Sequence, residues 1–198
     1  MQSDSTDNVL SNVTEDELAI SNLLLPIQAE DHVEGSPNAR YTLVEYGDYE
    51  CPDCGRLFIT IRQLRKQFGE DAVRLVFRHY PLSGIHVRAQ QAAEAAEAAA
   101  GQSRFWEMHD LLFEHQRALR TKDLYRYADQ LGLDTKRFRA ELTARLYEDR
   151  VREDFRRGVA NGVYRTPGLF INGIRYNGGL DSDSIVKKLT EESQSNGS

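Results

Sequence analysis

The two cysteines of this 198-residue chain stand in Glu50-Cys51-Pro52-Asp53-Cys54-Gly55, and there are no others. Two thiols at that spacing can carry electrons by closing and opening one disulfide, if one sulfur is ionised near neutral pH. The flanking residues predict such a sulfur. Proline at the first helical position loses no hydrogen bond, so Pro52 marks a helix start and makes Cys51 its N-cap. The free N–H groups of Asp53 and Cys54 then point at the Cys51 sulfur, and the helix dipole adds partial positive charge. Settings of this kind lower a cysteine pKa from about 8.5 to roughly 3.5–7.5. Cys54 falls on the same helical face, close enough for a disulfide. The metal readings are weaker. Tetrahedral zinc needs four ligands, and His109 and His115 do not share a helix face, while His79 and His86 straddle a loop. An iron–sulfur cluster held by Cys51 between two chains is a further rival. Neither a metal nor a cofactor is expected.

The elements that must hold this pair can be read around it. Thr42-Leu43-Val44-Glu45-Tyr46 is a β-rich run broken by Gly47-Asp48. Leu57, Ile61, Leu64 and Phe68 then recur at the spacing of one buried helical stripe, and Gly69 is a fitting stop. Val73 to Arg78 reads as a second strand. From about 85 to 160 the pattern is helical throughout. Ala89 to Ala100 is an alanine-rich helix with Glu94 and Glu97 placed outward. Ser103 is the expected cap of a helix carrying Phe105, Trp106, Met108, Leu111 and Leu112. Further helices run from Thr121 to Gly132, from Asp134 through Phe138 and Leu142, and along Tyr147, Val151 and Phe155. The stretch Arg145 to Arg157 reads as a solvated face laced with i,i+4 ion pairs. Gly168 to Ile171 and Ile174 to Tyr176 flank Asn172-Gly173, a hairpin signal. A closing helix starts near Ser182, with Ile185 and Leu189 inward.

The order is therefore β-α-β, a helical block, then β-β-α. A right-handed crossover joins the first two strands, and function is expected at the carboxyl end of a strand, where Cys51 sits. The net charge of −6 argues against nucleic acid as the main partner. No run approaches the ~18 apolar residues of a membrane span. The first residues have neither the basic nor the apolar region of a secretory signal, so a cytoplasmic chain is expected, or a periplasmic or extracytoplasmic one if a leading segment has been trimmed. Residues 1–28, rich in Ser, Asp, Asn and Glu, read as a flexible tail, with Thr14 and Glu17 as a capping box before a short helix.

That element order, with Cys-Pro-Asp-Cys and the dipeptide Thr166-Pro167 before the returning strand, resembles the thioredoxin superfamily. Within it the sequence is similar to the DsbA-like branch, an α/β thioredoxin-like fold split by an all-helical insertion. Leu43 to Cys54, Phe105-Trp106-Glu107-Met108-His109 and Thr166-Pro167 with Asn172-Gly173 carry the resemblance. It implies a thioredoxin-like domain over 29–84 and 161–192, an insertion over 85–160, and a short tail over 193–198. It implies also that Cys51 is the exposed nucleophile, Cys54 the buried resolving thiol, and Pro167 a cis-proline facing the disulfide. Thr166 would then offer its backbone to an extended substrate, with Pro52 and Asp53 lining the other side. Glu45, six residues before Cys51, matches a buried acid that takes the Cys54 proton, directly or through water.

The strong oxidants of this branch have a histidine before the second cysteine, where this chain has Asp53. A carboxylate there disfavours the thiolate and makes a weaker oxidant. The expected function is thiol–disulfide exchange, reductive more than oxidative, with protein or small thiol substrates. Electrons would come from a thioredoxin-type or low-molecular-weight thiol. Two alternatives belong to other classes: a redox-dependent partner-binding module, and a thiol peroxidase or isomerase acting on small molecules.

Overall fold

A computed structural model describes residues 25–195. The helix expected after Thr14, with most of the segment it belongs to, lies outside them. Strand β1 (His32–Glu34) is followed by β2 (Tyr41–Gly47), helix α1 (Pro52–Phe68) and β3 (Val73–His79). Five helices follow: α2 (Ala89–Ala100), α3 (Phe105–Glu114), α4 (Thr121–Gln130), α5 (Thr135–Thr143) and α6 (Glu148–Ala160). The chain returns as β4 (Gly168–Ile171), β5 (Ile174–Tyr176) and α7 (Ser182–Ser195). The strands form one sheet in the order β1-β3-β2-β4-β5. β2 and β3 are parallel, and the other pairings are antiparallel. The three-residue β1 has too little periodicity to be seen in the sequence.

The two faces of β2 are read out by the pleat. Leu43 and Leu75 pack with Leu57, Ile61 and Leu64 of α1 and with Ile185 and Leu189 of α7. Val44, Tyr46, Val76 and Phe170 face the other way, toward Tyr80, Val163 and Phe155 of α6. Glu45 shares the α1 face with Leu43, because side chains alternate with period two. The helical block has its own core, in which the α2 alanines meet Phe105, Met108, Leu112, Tyr127 and Phe138, and that core reaches Tyr49, Cys51 and Cys54. The insertion therefore packs directly on the cysteine pair.

Three sequence expectations change. Glu94 and Glu97 are 2% and 5% exposed, because α2 is the central helix of the block. Glu94 is held by Gln90 and Arg145, and Glu97 by His32 and His79. Arg104, not Ser103, precedes α3, and Ser103 adopts a left-handed φ of 60°. On α6 the Arg152–Glu148 and Arg150–Asp154 pairs form as expected. Asp154 and Arg157, however, are buried rather than solvated. Arg157 and Arg78 both grip Asp31 and the Pro26 carbonyl, which fastens the chain from Leu25 onward to the fold.

Candidate active site

The helix start predicted at Cys51 is present: Cys51 is the N-cap of α1, with φ −76° and ψ 122°, and Pro52 opens the helix. β2 and β4 run antiparallel with Tyr46 opposite Gly168. That register brings the residues just before β4 to the carboxyl end of β2, beside Cys51. The Thr166–Pro167 peptide bond is cis, and the Cys51 thiol donates to the Thr166 carbonyl at 3.6 Å. Cys51 and Cys54 are both free thiols, 3.8 Å apart. A small rotation would bring the sulfurs to the bonding distance of about 2.05 Å.

The two sulfurs are held in opposite states. The Cys51 pKa falls from 9.0 to about 6, chiefly through a hydrogen bond from Cys54. Partial burial opposes this, while the Thr166 side chain and the N–H groups of Cys54 and Asp53 favour the thiolate. The cap geometry lies outside a true hydrogen bond from those N–H groups, so the dipole contributes at longer range than the sequence suggested. Cys54 is fully buried, and burial pushes its pKa well above 9.0. Its sulfur accepts the Asp48 N–H at 3.4 Å. The nucleophile is less open than the resemblance implied. Cys51 is only 6% exposed, because the 166–167 loop covers its sulfur and the Tyr49 segment packs below it.

Glu45 lies under this pair, 1% exposed. Burial raises its pKa to about 8; a hydrogen bond with Cys54 opposes the rise and the charge of Cys51 adds to it. Its Oε1 has no protein partner. Asp53 points to solvent and pairs with Arg56 one turn on. The carboxylate expected to weaken the Cys51 thiolate is thus paired with a cation.

Sequence reasoning missed the groups that fasten the active-site loop. The Asp48 carboxylate, 1% exposed, accepts from the N–H groups of Glu50 and Leu82 and hydrogen-bonds His86 Nδ1. Glu50 accepts from the Arg88 N–H at 2.6 Å. Gln116 Nε2 donates to the carbonyls of Tyr49 and Cys51 at 3.0 and 2.8 Å. A Cβ at position 55 would collide with the Gln116 amide, so Gly55 leaves room for that clamp. A glycine directly after the second cysteine was the available signal. Beside the loop, Pro81, Leu82, Ile85, Phe155 and Tyr164 help line a groove of about 630 Å³. Ile85, Val87 and Tyr164 are 73%, 76% and 75% exposed.

Among the described residues, one cluster gathers three metal-ligating atoms within 4.8 Å: His32, His79 and Glu97. It includes neither cysteine. Both imidazole Nε2 atoms hydrogen-bond Glu97 Oε1, at 2.8 and 2.9 Å, and Arg150 Nε lies 3.9 Å from the same oxygen. These groups already satisfy the carboxylate, and the guanidinium would oppose a bound cation.

Residues 28–191 match the family described as Thioredoxin. Among solved structures, the fold is similar to oxidised BdbD of Bacillus subtilis, with a TM-score of 0.76 and 23% identity, over 86% of this chain and 96% of that one. It is similar also to the thiol-disulfide exchange protein alpha-DsbA2 of Wolbachia pipientis, with a TM-score of 0.70 and 21% identity over 83% and 88%. At these identities the likeness establishes the fold. In sequence the chain is 44% identical over 172 residues to the Na(+)/H(+) antiporter NhaA 1 of Salinispora arenicola, covering 86% of this chain and 26% of that protein. The chain thus spans about a quarter of the length of the curated relatives it matches.

Proposed function

This chain belongs to the thioredoxin family and has the DsbA-like form of its fold, and on that premise we propose that it is a thiol–disulfide oxidoreductase working mainly in reduction and exchange. The observation that carries the proposal is the asymmetry of the sulfurs: Cys51 ionises at about pH 6 beside Thr166, while Cys54 is kept protonated behind it. The Cys51 thiolate attacks a substrate disulfide, and one substrate thiolate leaves. In chains whose Glu45 is ionised, the minority form near pH 7 at a pKa of about 8, Cys54 gives its proton to that carboxylate and attacks the Cys51 sulfur. The second substrate sulfur leaves with its electron pair, and the Cys51–Cys54 disulfide remains. Two electrons have passed to the substrate; a thioredoxin-type or low-molecular-weight thiol restores the dithiol. The backbone of Thr166, with Pro167, Pro52 and Asp53 around the sulfur, would receive an extended protein segment, and the apolar groove suits its side chains.

A cysteine pKa of about 6 lies nearer the ~7 of thioredoxin than the ~3.5 of the strongest oxidant of this fold. That supports a weakly oxidising pair, around −200 mV, which cytosolic glutathione keeps as a dithiol. A cytoplasmic setting is part of the proposal. The test is insulin-disulfide reduction with a thiol donor. Activity is expected in the native chain and absent in Cys51→Ser, whereas Cys54→Ser accumulates covalent mixed disulfides. Undiminished turnover by Cys51→Ser would overturn the proposal.

The antiporter likeness favours a second reading, in which the domain docks a membrane transporter in a redox-dependent way without turnover. Capture of such a partner by the native chain, with no insulin reduction, would select it.

A further inference from the structure

Glu45 must release each proton it accepts, and its own surroundings are closed. Glu45, whose Oε1 is buried without a partner, borders a cavity of about 20 Å³, lined also by Arg62 and Arg65 of α1, His109 and Asp110 of α3, and Glu34 of β1. About 10–15 Å³ is enough for one water, provided polar groups hold it. The carboxyl groups of Glu45 and Asp110 are among the polar groups of that lining.

The other lining groups differ in what they can carry. Arg65 is tied to Glu34, and Arg62 donates to Glu114; a guanidinium keeps its protons. His109 is fully enclosed, and burial drives its pKa well below the ordinary value, with His79 and His32 adding to the effect. Its Nδ1 is 3.2 Å from the Tyr49 hydroxyl. Asp110 remains: it is half-buried on α3 and lines the cavity. Its proton affinity is raised by burial, and Glu114 raises it further against the pull of Arg62. From the opposite side Glu45 faces Cys54 and Cys51, with Tyr49 nearby.

We propose that the proton taken from Cys54 leaves Glu45 through this cavity, by way of one water and the Asp110 carboxylate. The inference rests on the exchange chemistry at Cys51 and Cys54. As the Cys54 S–H bond breaks, the Cys54–Cys51 bond forms and the substrate sulfur departs with the electron pair. The proton passes to Glu45, then to the water, then to Asp110 and bulk solvent. Asp110 touches neither sulfur; it acts through Glu45, and the helical insertion supplies it.

Rapid mixing of the full chain with a fluorogenic disulfide peptide separates the two steps, and Cys54→Ser isolates the first. In Asp110→Asn the formation of the mixed disulfide is unchanged. Release slows about tenfold, a part of the 10²–10⁴ that direct proton transfer contributes. Small weak bases such as formate or neutral imidazole restore release in the variant and leave the native chain unaffected, and Asp110→Glu retains most of the native rate. Equal slowing of both steps would assign Asp110 a structural role and overturn the route, as would unaltered release. Slow release in Glu45→Gln with none in Asp110→Asn overturns the route while leaving the exchange reaction intact. A native chain that forms no mixed disulfide overturns both.

Discussion

Cys51 ionises readily because a neighbouring thiol, a threonine and two backbone N–H groups favour its charge, whereas Glu45 resists ionisation because it is sealed from water. The two shifts pull stability in opposite directions with pH. Glu45 has a folded pKa of about 8, above its ordinary 4.5. Its contribution to stability is therefore full below pH 4.5 and lost as pH rises through 8. Cys51 has a folded pKa of about 6, below 9.0. Its contribution is full above pH 9 and lost as pH falls through 6. Glu45→Gln removes the first dependence only. Thermal melts of the reduced chain should show the variant gaining over the native protein as pH rises from 5 to 9. A difference that stays constant with pH would mean that Glu45 is not the buried acid described here. The Cys-Pro-Asp-Cys order made the reactive sulfur legible, since the proline places the helix start. The pairing of Asp53 with Arg56 was not weighed in the sequence, although the i,i+3 spacing was there to see.

Within the elements, α1 and β2 followed from periodicity, and the antiparallel return of β4 placed Thr166 where the resemblance implied. Asp48 was hidden because it looks like an ordinary strand breaker beside Gly47. Only the fold shows that Leu82 and His86 come back to it. Its carboxylate joins the active-site loop to the segment after β3. Asp48→Ala leaves two half-buried N–H donors unpaired, and urea denaturation should show a loss of roughly 2 kcal/mol. A loss below about 0.5 kcal/mol, the usual range for surface changes, would remove Asp48 from this account. Glu94 and Glu97 show the limit of reading a helix alone. Alanines on every side of α2 give no preferred face, and the arginine and histidines that receive these carboxylates come from the segment between α5 and α6 and from β1 and β3.

For the whole molecule, the insertion is more than a cover on a thioredoxin-like sheet. Its core runs on into Tyr49 and both cysteines, Gln116 holds the Cys51 carbonyl, and Asp110 borders the cavity beneath Glu45. A chain of this design couples packing of the helical block to the state of one sulfur at the edge of the sheet. The ionisation of that sulfur is the central claim, and it can be measured directly. Thiolate absorbance of the reduced chain at 240 nm, followed against pH with Cys51→Ser as the blank, should rise with a midpoint near pH 6. A single midpoint at about 8.5, the value of an unperturbed cysteine, would contradict it.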